Sequence, residues 1–285
     1  QALNYLNAMM DKLPQVIYLY PFSIFEITWV LKSLSFCDVP LVEMTQPAIW
    51  ERLEAEMDSN GIGLDPTFGI PDGDITSVST QLLIQAGYGV SHAILEKFEN
   101  KKTHVFRTYD YERNVSVGTN VHALEALDLL EDYPNRREVQ EQILVMLLNN
   151  RKYNIYWIDK WHTSPYYATA HVIMGLLNRG SYLVHACRNT IEWLLHTQRS
   201  DGSWGFFEVG TPEETAYALI ALAHFNKYES IDTTVLRRGF DYLERAYENL
   251  SLDHPELWIG KCLYIPYDVV RSAVLAGLIL CQQVL

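Results

Sequence analysis

The stretch Thr211-Pro212-Glu213-Glu214-Thr215-Ala216-Tyr217-Ala218-Leu219-Ile220-Ala221-Leu222 joins a helix-start signal to a run that is apolar on every face. A helix of that kind is buried on both sides rather than on one. Starts of the same type recur at Pro21-Phe22-Ser23, Ile70-Pro71-Asp72, Ser116-Val117-Gly118, Ser164-Pro165-Tyr166 and Ile265-Pro266-Tyr267, each ahead of an apolar helix. Their spacing, roughly 45 to 54 residues, is the scale of a helical-hairpin repeat. One-sided amphipathic segments fall between them, among them RREVQEQILVMLLNN, NTIEWLLHTQ and VLRRGFDYLERAYENL. With LNYLNAMMDKL counted at the start, six buried helices alternate with six amphipathic ones. The pattern predicts an all-α fold, a single (α/α)6 barrel of six inner and six outer helices forming one domain over residues 1–285. Inner helices that all enter from one end collect their N-termini around one mouth. Asp72, Asp74, Asn120, Tyr166, Tyr167, Glu213, Glu214, Tyr267 and Arg271 are then neighbours there.

The copy of this start at Ile70-Pro71-Asp72-Gly73-Asp74-Ile75-Thr76-Ser77 carries two carboxylates. Pro71 suits a first helical turn and Asp72 an N-cap, which puts Asp74 in the first turn, pointing along the helix. A carboxylic acid so placed can donate a proton into an apolar cavity. Acidic residues at a helix start also simply complement the macrodipole, and these residues alone leave both readings open.

Composition agrees with one large helical core. Of 285 residues, 48% are hydrophobic and 12% aromatic, with 18 Tyr and 7 Trp, enough for both a core and an aromatic-lined cavity. No linker or low-complexity tract divides the chain. A formal charge of -13 argues against a nucleic-acid partner, because phosphate binding needs a concentrated basic surface. No apolar run is long enough to span a bilayer, and no signal peptide is visible, which predicts a cytoplasmic protein. The chain begins at Gln1 without Met, so an upstream segment is left open, as are oligomeric state and peripheral contact with a membrane. Cys37, Cys187, Cys262 and Cys281 form no metal-ligand pair and read as reduced core cysteines. Thr103-His104-Val105-Phe106-Arg107-Thr108-Tyr109-Asp110-Tyr111 alternates and is rich in β-branched and aromatic residues, so a short hairpin or a surface loop interrupts the helical rhythm there.

Gln198-Arg199-Ser200-Asp201-Gly202-Ser203-Trp204-Gly205 supplies a tight turn in which the Gln198 amide can stack on, or bond around, the Trp204 indole. This segment resembles the repeated Gln, Gly and Trp turn of the triterpene and class II terpene cyclase superfamily. The resemblance runs along nearly the whole chain. PFSIFEITWVLKSL is similar to the first helix of the catalytic domain in class II diterpene cyclases, and GIGLDPTFGIPDGDITS to the segment with their DxDDT acid motif. DKWHTSPYYATAHV and ELWIGKCLYIPYDVVRSAV resemble two later blocks, in the same order. Two departures stand out. Ile75 replaces the third aspartate, and this chain has no residues for the second helical domain of diterpene cyclases. The one-domain form resembles the meroterpenoid cyclases of this superfamily.

The resemblance implies protonation of a terminal alkene and ring closure through carbocations, with Asp74 as the acid. Burial and the neighbouring Asp72 keep one proton on the pair. Asn120 is the expected hydrogen-bond partner of the acid, with His122 the weaker choice. Aromatic faces stabilise cations by about 0.5 to 2 kcal/mol each; Trp29, Trp161, Tyr166, Tyr167, Tyr264 and Tyr267 are the candidates, about half of them expected at the substrate. For the head group the cations at hand are Lys160, His162, Lys261 and Arg271, unless Lys160 merely pairs with Asp159. The terminating base is unassigned, with Glu26 a candidate. The expected partner is a lipophilic isoprenoid small molecule, a prenylated aromatic acid ahead of geranylgeranyl diphosphate. No cofactor is expected, Mg2+ entering only with a diphosphate. Three other readings stay open: a zinc prenyltransferase subunit, a paired-carboxylate glycosidase using Asp74 with Glu213 or Glu214, and a non-catalytic isoprenoid-binding module, which the loss of the third aspartate favours.

Overall fold

Every all-round apolar segment within residues 22–248, 255–260 and 262–285, which a computed structural model describes, forms one helix, and these six helices make the inner wall of a barrel. In chain order the helices are α1 (Ser23–Ser35), α2 (Leu41–Met44), α3 (Pro47–Glu56), α4 (Gly73–Gln85), α5 (His92–Glu96), α6 (Val117–Leu129), α7 (Arg136–Asn149), α8 (Pro165–Leu177), α9 (Val184–His196), α10 (Pro212–Asn226), α11 (Thr233–Glu248) and α12 (Tyr267–Val284). The inner wall runs α1, α4, α6, α8, α10, α12, each packed on the next, and α12 closes the ring on α1. In α8 every residue from Pro165 to Leu177 is buried, as expected of a helix with neighbours on all sides. The outer layer among the described residues is α3, α5, α7, α9 and α11. LNYLNAMMDKL, the expected sixth outer helix, lies outside the described residues.

Four of the six inner helices, α4, α6, α8 and α10, start alike because the cap uses a small polar side chain. Asp72 accepts from the Asp74 and Ile75 amides, Ser116 from Thr119, Ser164 from Tyr166 and Thr211 from Glu214, satisfying donors that a helix start leaves unpaired. Pro71 stands just before the Asp72 cap rather than inside the first turn.

About one turn beyond the cap, a second device recurs four times. A polar side chain of the inner helix bonds both the N–H and the C=O of one residue in the preceding loop. Thr76 does so with Ile62 at 3.0 and 3.3 Å, Asn120 with Phe106 at 2.7 and 2.9 Å, Thr169 with Trp157 at 3.0 and 3.4 Å, and Thr215 with Trp204 at 2.9 and 3.4 Å. Each clasp satisfies a buried backbone pair and fixes the height at which the loop crosses the helix. Trp157 and Trp204 also send their indole N–H to Leu147 and Leu194, near the ends of the preceding outer helices. The Gln198 amide bonds the Gly202 and Val235 carbonyls, so it braces the turn rather than the indole.

The alternating segment is half of a hairpin: β1 (Glu99–Asn100) pairs antiparallel with β2 (Val105–Phe106), and the chain that follows brings Thr108 and Tyr109 over the mouth. A second hairpin, β3 (Trp258–Ile259) with β4 (Leu263–Tyr264), is stitched to residues 161–163 by Ile259 N–H to Trp161 O at 2.9 Å and Thr163 N–H to Leu257 O at 2.8 Å.

Close approach of α6 and α8 depends on Gly175, where a Cβ would stand 2.4 Å from Val121 Cγ2. Gly175→Ala is expected to destabilise the fold by about 1–3 kcal/mol in urea unfolding, and adding Val121→Ala should recover part of that loss. Equal unfolding of Gly175→Ala and wild type would mean that the two helices are not in contact there.

Candidate active site

Asp74, in the first turn of α4, is buried at the top of the barrel. Its Oδ1 lies 2.6 Å from His122 Nδ1, and His122 Nε2 lies 2.7 Å from His171 Nδ1. His171 Nε2 has no partner among the described residues. That orphan fixes the direction of the chain, because a buried lone pair without a donor costs less than a buried N–H without an acceptor. His171 therefore donates from Nδ1 to His122, and His122 donates from Nδ1 to Asp74 Oδ1. The proton of Asp74 then sits on Oδ2.

Both ends of this chain are uncharged. Burial above all, then the Asp159 and Glu112 carboxylates, hold the Asp74 carboxyl well above the usual range. Two of these carboxyls meet over Gly118, where Asp159 Oδ2 and Asp74 Oδ2 lie 3.4 and 3.7 Å from the position a Cβ would take. Burial and then the Lys32 ammonium depress His122 to about 3. The 2.6 Å contact is thus a hydrogen bond between neutral groups. Asp72 is pushed up to about 7 by burial and by Asp74, against the hydrogen bonds of Tyr109 and of the helix N-terminus.

The acid faces a cavity of about 510 Å³, part of it open to solvent. Aromatic rings make most of its wall: Phe22, Phe25 and Trp29 from α1 and its approach, Tyr109 and Trp161 from the loops, Tyr167 from α8, and Trp258 and Tyr264 from the second hairpin. The rings brace one another. Trp29 Nε1 donates to Tyr167 Oη at 3.0 Å, Tyr264 stacks on Phe22 at 5.1 Å, and Tyr109 meets Trp161 edge-on at 5.9 Å. Ile75, in place of a third aspartate, adds apolar wall beside the acid.

The structure brings Asp72, Asp74, Trp29, Trp161, Tyr167 and Tyr264 to this cavity and takes other expected residues away from it. Asn120 is not the partner of the acid: its amide is occupied by Phe106 in the clasp and by the Ser116 carbonyl, and His122 holds that position. Tyr166 turns outward, stacking on Trp193 at 4.9 Å and donating to Thr197. Tyr267 and Arg271 are exposed on α12 outside the lining. Lys160 pairs with Glu112 and the Asn114 carbonyl, not with Asp159, and is not in the lining. His162 is buried against Glu213, and Glu26 lies outside the lining; Lys261 falls outside the described residues. Glu213 accepts the Trp258 indole N–H at 2.7 Å and Glu214 accepts from Ser164, Thr211 and Phe206, so neither serves as a second carboxyl to Asp74 at the cavity.

A proton donor in an aromatic barrel has known counterparts. Residues 110–257 match the family described as the squalene-hopene cyclase C-terminal domain. The chain belongs to this family. Among curated members, the type B diterpene cyclase of Mycobacterium tuberculosis is 36% identical over 275 residues, covering 93% of this chain and 52% of that protein. The ent-copalyl diphosphate synthase of Streptomyces sp. (strain KO-3988) is 34% identical, covering 92% and 50%. The chain thus spans about half the length of the curated relatives it matches. Of solved structures, ent-copalyl diphosphate synthase from Streptomyces platensis aligns with a TM-score of 0.82 at 34% identity, over 92% of this chain and 51% of that one. Type II terpene cyclase MstE from Scytonema aligns at 0.65 and 14% identity, over 92% and 90%, a likeness of fold alone.

Against this family background the residues that sequence reasoning missed are His171, Tyr109 and Trp258, while His122 was ranked too low. A signal for the Asn120 error was present: Asn120 follows its cap by four residues, as Thr76 follows Asp72 and Thr215 follows Thr211. Because Asn120 supports a loop, Asn120→Ala should cost about 1–3 kcal/mol in urea unfolding by orphaning the Phe106 backbone. No loss of stability would remove the clasp from the account.

The raised Asp72 group has a definite sign. Its stabilising contribution is full below the unfolded pKa near 4 and is lost as pH rises through about 7. His122 and His171, depressed by burial, contribute with the opposite sign, so the test is a difference. Asp72→Asn, whose amide oxygen can still cap α4, should gain stability relative to wild type between pH 4 and 7, by about 1.4 kcal/mol per pH unit at the steepest. A pH-independent difference in urea unfolding would place Asp72 in an ordinary ionised state.

Proposed function

We propose that this barrel carries the acid of a class II, protonation-initiated terpene cyclase acting on a geranylgeranyl diphosphate-type substrate. The observation that carries the reading is the Asp74 carboxyl, neutral by burial, braced at Oδ1 by His122 and open to an aromatic cavity. The Asp74 proton adds to the terminal alkene and leaves a tertiary carbocation, while the electrons of the O–H bond remain on the carboxylate. The His122 hydrogen bond stabilises that carboxylate as its charge develops. Successive alkenes close rings onto the cation, and Trp29, Tyr109, Trp161, Tyr167 and Trp258 offer π faces that stabilise charge without trapping it. Loss of a proton ends the cascade. Wet walls would quench the cation early, so a lining dominated by rings and Leu64, Ile75 and Ile259 serves the chemistry as well as the packing.

The diphosphate reading draws on relatives at 36% and 34% identity that are diterpene and copalyl diphosphate cyclases. The preference for a prenylated aromatic acid rested on a missing second domain, and a chain half as long as its relatives does not support that step. One observation still favours it: no Lys or Arg lines the cavity among the described residues, and a benzoate needs fewer cations than a diphosphate. The carboxyls at the mouth fit a resident metal poorly, because Asp72 Oδ1 is occupied by two helix amides and Asp74 Oδ1 by His122. Mg2+ is expected only as a companion of a diphosphate head group.

Purified protein incubated with geranylgeranyl diphosphate and with a geranylgeranylated dihydroxybenzoate, with and without EDTA, tests the reading. The expected result is a cyclised diphosphate, lost in Asp74→Asn by at least about 10³-fold, with the variant as stable as wild type. Cyclised benzoate alone would move the substrate to the meroterpenoid class. No product from either, with folded protein, would favour a non-catalytic isoprenoid-binding module.

A further inference from the structure

Below the cavity the barrel axis holds a charge pair that packing does not explain. Lys32 on α1 is 1% exposed, and its Nζ donates to Glu125 Oε2 at 2.7 Å and to Gln81 Oε1 at 2.9 Å. Lys32 lies three residues beyond Trp29, Glu125 three beyond His122, and Gln81 seven beyond Asp74. Helices α1, α4 and α6 therefore each supply one member of the network one or two turns beneath their contribution to the site. A buried ion pair is weak as a source of stability, since apolar side chains of similar volume do as well or better. Its orientation is more telling. The ammonium stands 5.1 Å from the Phe36 ring centre, and Phe36 meets the His171 ring edge-on at 5.2 Å.

We propose that Lys32 is a positioning residue for the acid: its buried ammonium, aimed by Glu125 and Gln81, disfavours imidazolium at His122 and so keeps the dissociable proton of the pair on the carboxyl oxygen that faces the cavity. The inference rests on the reading of Asp74 as the proton donor. With His122 donating at 2.6 Å, the pair has two forms: carboxylic acid beside neutral imidazole, and carboxylate beside imidazolium, in which the His171 Nδ1 proton has passed to His122 Nε2 and His171 has taken one at Nε2. The second leaves the carboxyl oxygen that faces the cavity without the proton an alkene would take. A nearby fixed cation in a poorly solvated interior disfavours it, by tenfold or more in the transfer equilibrium.

The surrounding charges pull both ways, with Lys32 on the side of a neutral imidazole. After burial, Lys32 is the foremost influence depressing His122, while Glu125 and Asp159 oppose it. His171 is held well below its usual value by burial, then by His122, Lys32 and His162. Around Asp74 itself, Asp159 and Glu112 raise the carboxyl, and Lys160 and Lys32 lower it. From α10, Glu213 bonds His162 and Trp258, and Tyr217 stands beside His171. From α12, Asp268 acts on Glu26 at the mouth.

The test is nitrogen NMR of the full chain labelled with 15N-histidine, from pH 5 to 8. In wild type both imidazoles should stay neutral throughout, with the proton on Nδ1 of each. In Lys32→Met/Glu125→Gln, which removes the pair together, His122 should become imidazolium within that range, with kcat at pH 7 down about tenfold and KM unchanged. Imidazolium at His122 in wild-type protein would overturn the proposal, and that spectrum decides even if the double variant does not fold. A folded double variant with unshifted imidazoles would overturn it equally. Should Asp74→Asn retain activity while the spectra behave as expected, the acid assignment falls and the electrostatic role of Lys32 stands.

Discussion

The geometry of the mouth depends on one repeated constraint, the bonding of an inner-helix polar side chain to both backbone groups of one loop residue. A loop passing over a barrel end would otherwise bury an N–H and a C=O without partners. Thr76, Asn120, Thr169 and Thr215 remove that penalty at successive hairpins and, in doing so, set where each loop turns toward the axis. The Phe106 clasp has the clearest consequence, because two residues later the chain delivers Thr108 and Tyr109 to the cavity. Loop residues thereby become parts of a rigid wall, which a cavity that must exclude water requires.

Within that frame the acid is defined by what surrounds it more than by what touches it. Burial alone would make Asp74 a weak acid that never parts with its proton. Two features act in the other direction: the N-terminal turn of α4, whose orientation favours a negative charge, and the His122 N–H on Oδ1. Asp159 and Glu112 work against ionisation, Lys160 and Lys32 in favour of it. Such opposed influences keep the proton in place at rest while leaving a stabilised carboxylate once it has gone. Asp72 spends one oxygen on the helix start, so its structural and electrostatic effects cannot be separated by deletion, and the Asn variant is the informative one.

Much of the architecture was legible in the chain because its signals are local. All-round apolar runs, cap residues and the hairpin near Val105 are set by neighbours in sequence, and so is the placement of Asp74 one turn into its helix. The errors all concern which way a side chain faces. Tyr166 and Tyr167 are adjacent on α8, about 100° apart around its axis, and only Tyr167 reaches the cavity while Tyr166 stacks on Trp193. Asn120 and His122 are separated by the same kind of phase difference, one facing the loop and the other facing α4. Trp258 joins the site through pairing between residues 257–259 and 161–163, a contact across almost a hundred residues that no local pattern announces.

The head group poses a different kind of problem, because the wall described around the acid is suited to hydrocarbon and offers it little charge. A carbocation cascade needs such a wall: a lysine free to lose its proton would be a base beside a cation, and the lysine nearest the mouth, Lys160, is tied to Glu112 and a loop carbonyl. On the function proposed, recognition of an anionic end acts at a distance from Asp74 of about the length of the folded prenyl chain.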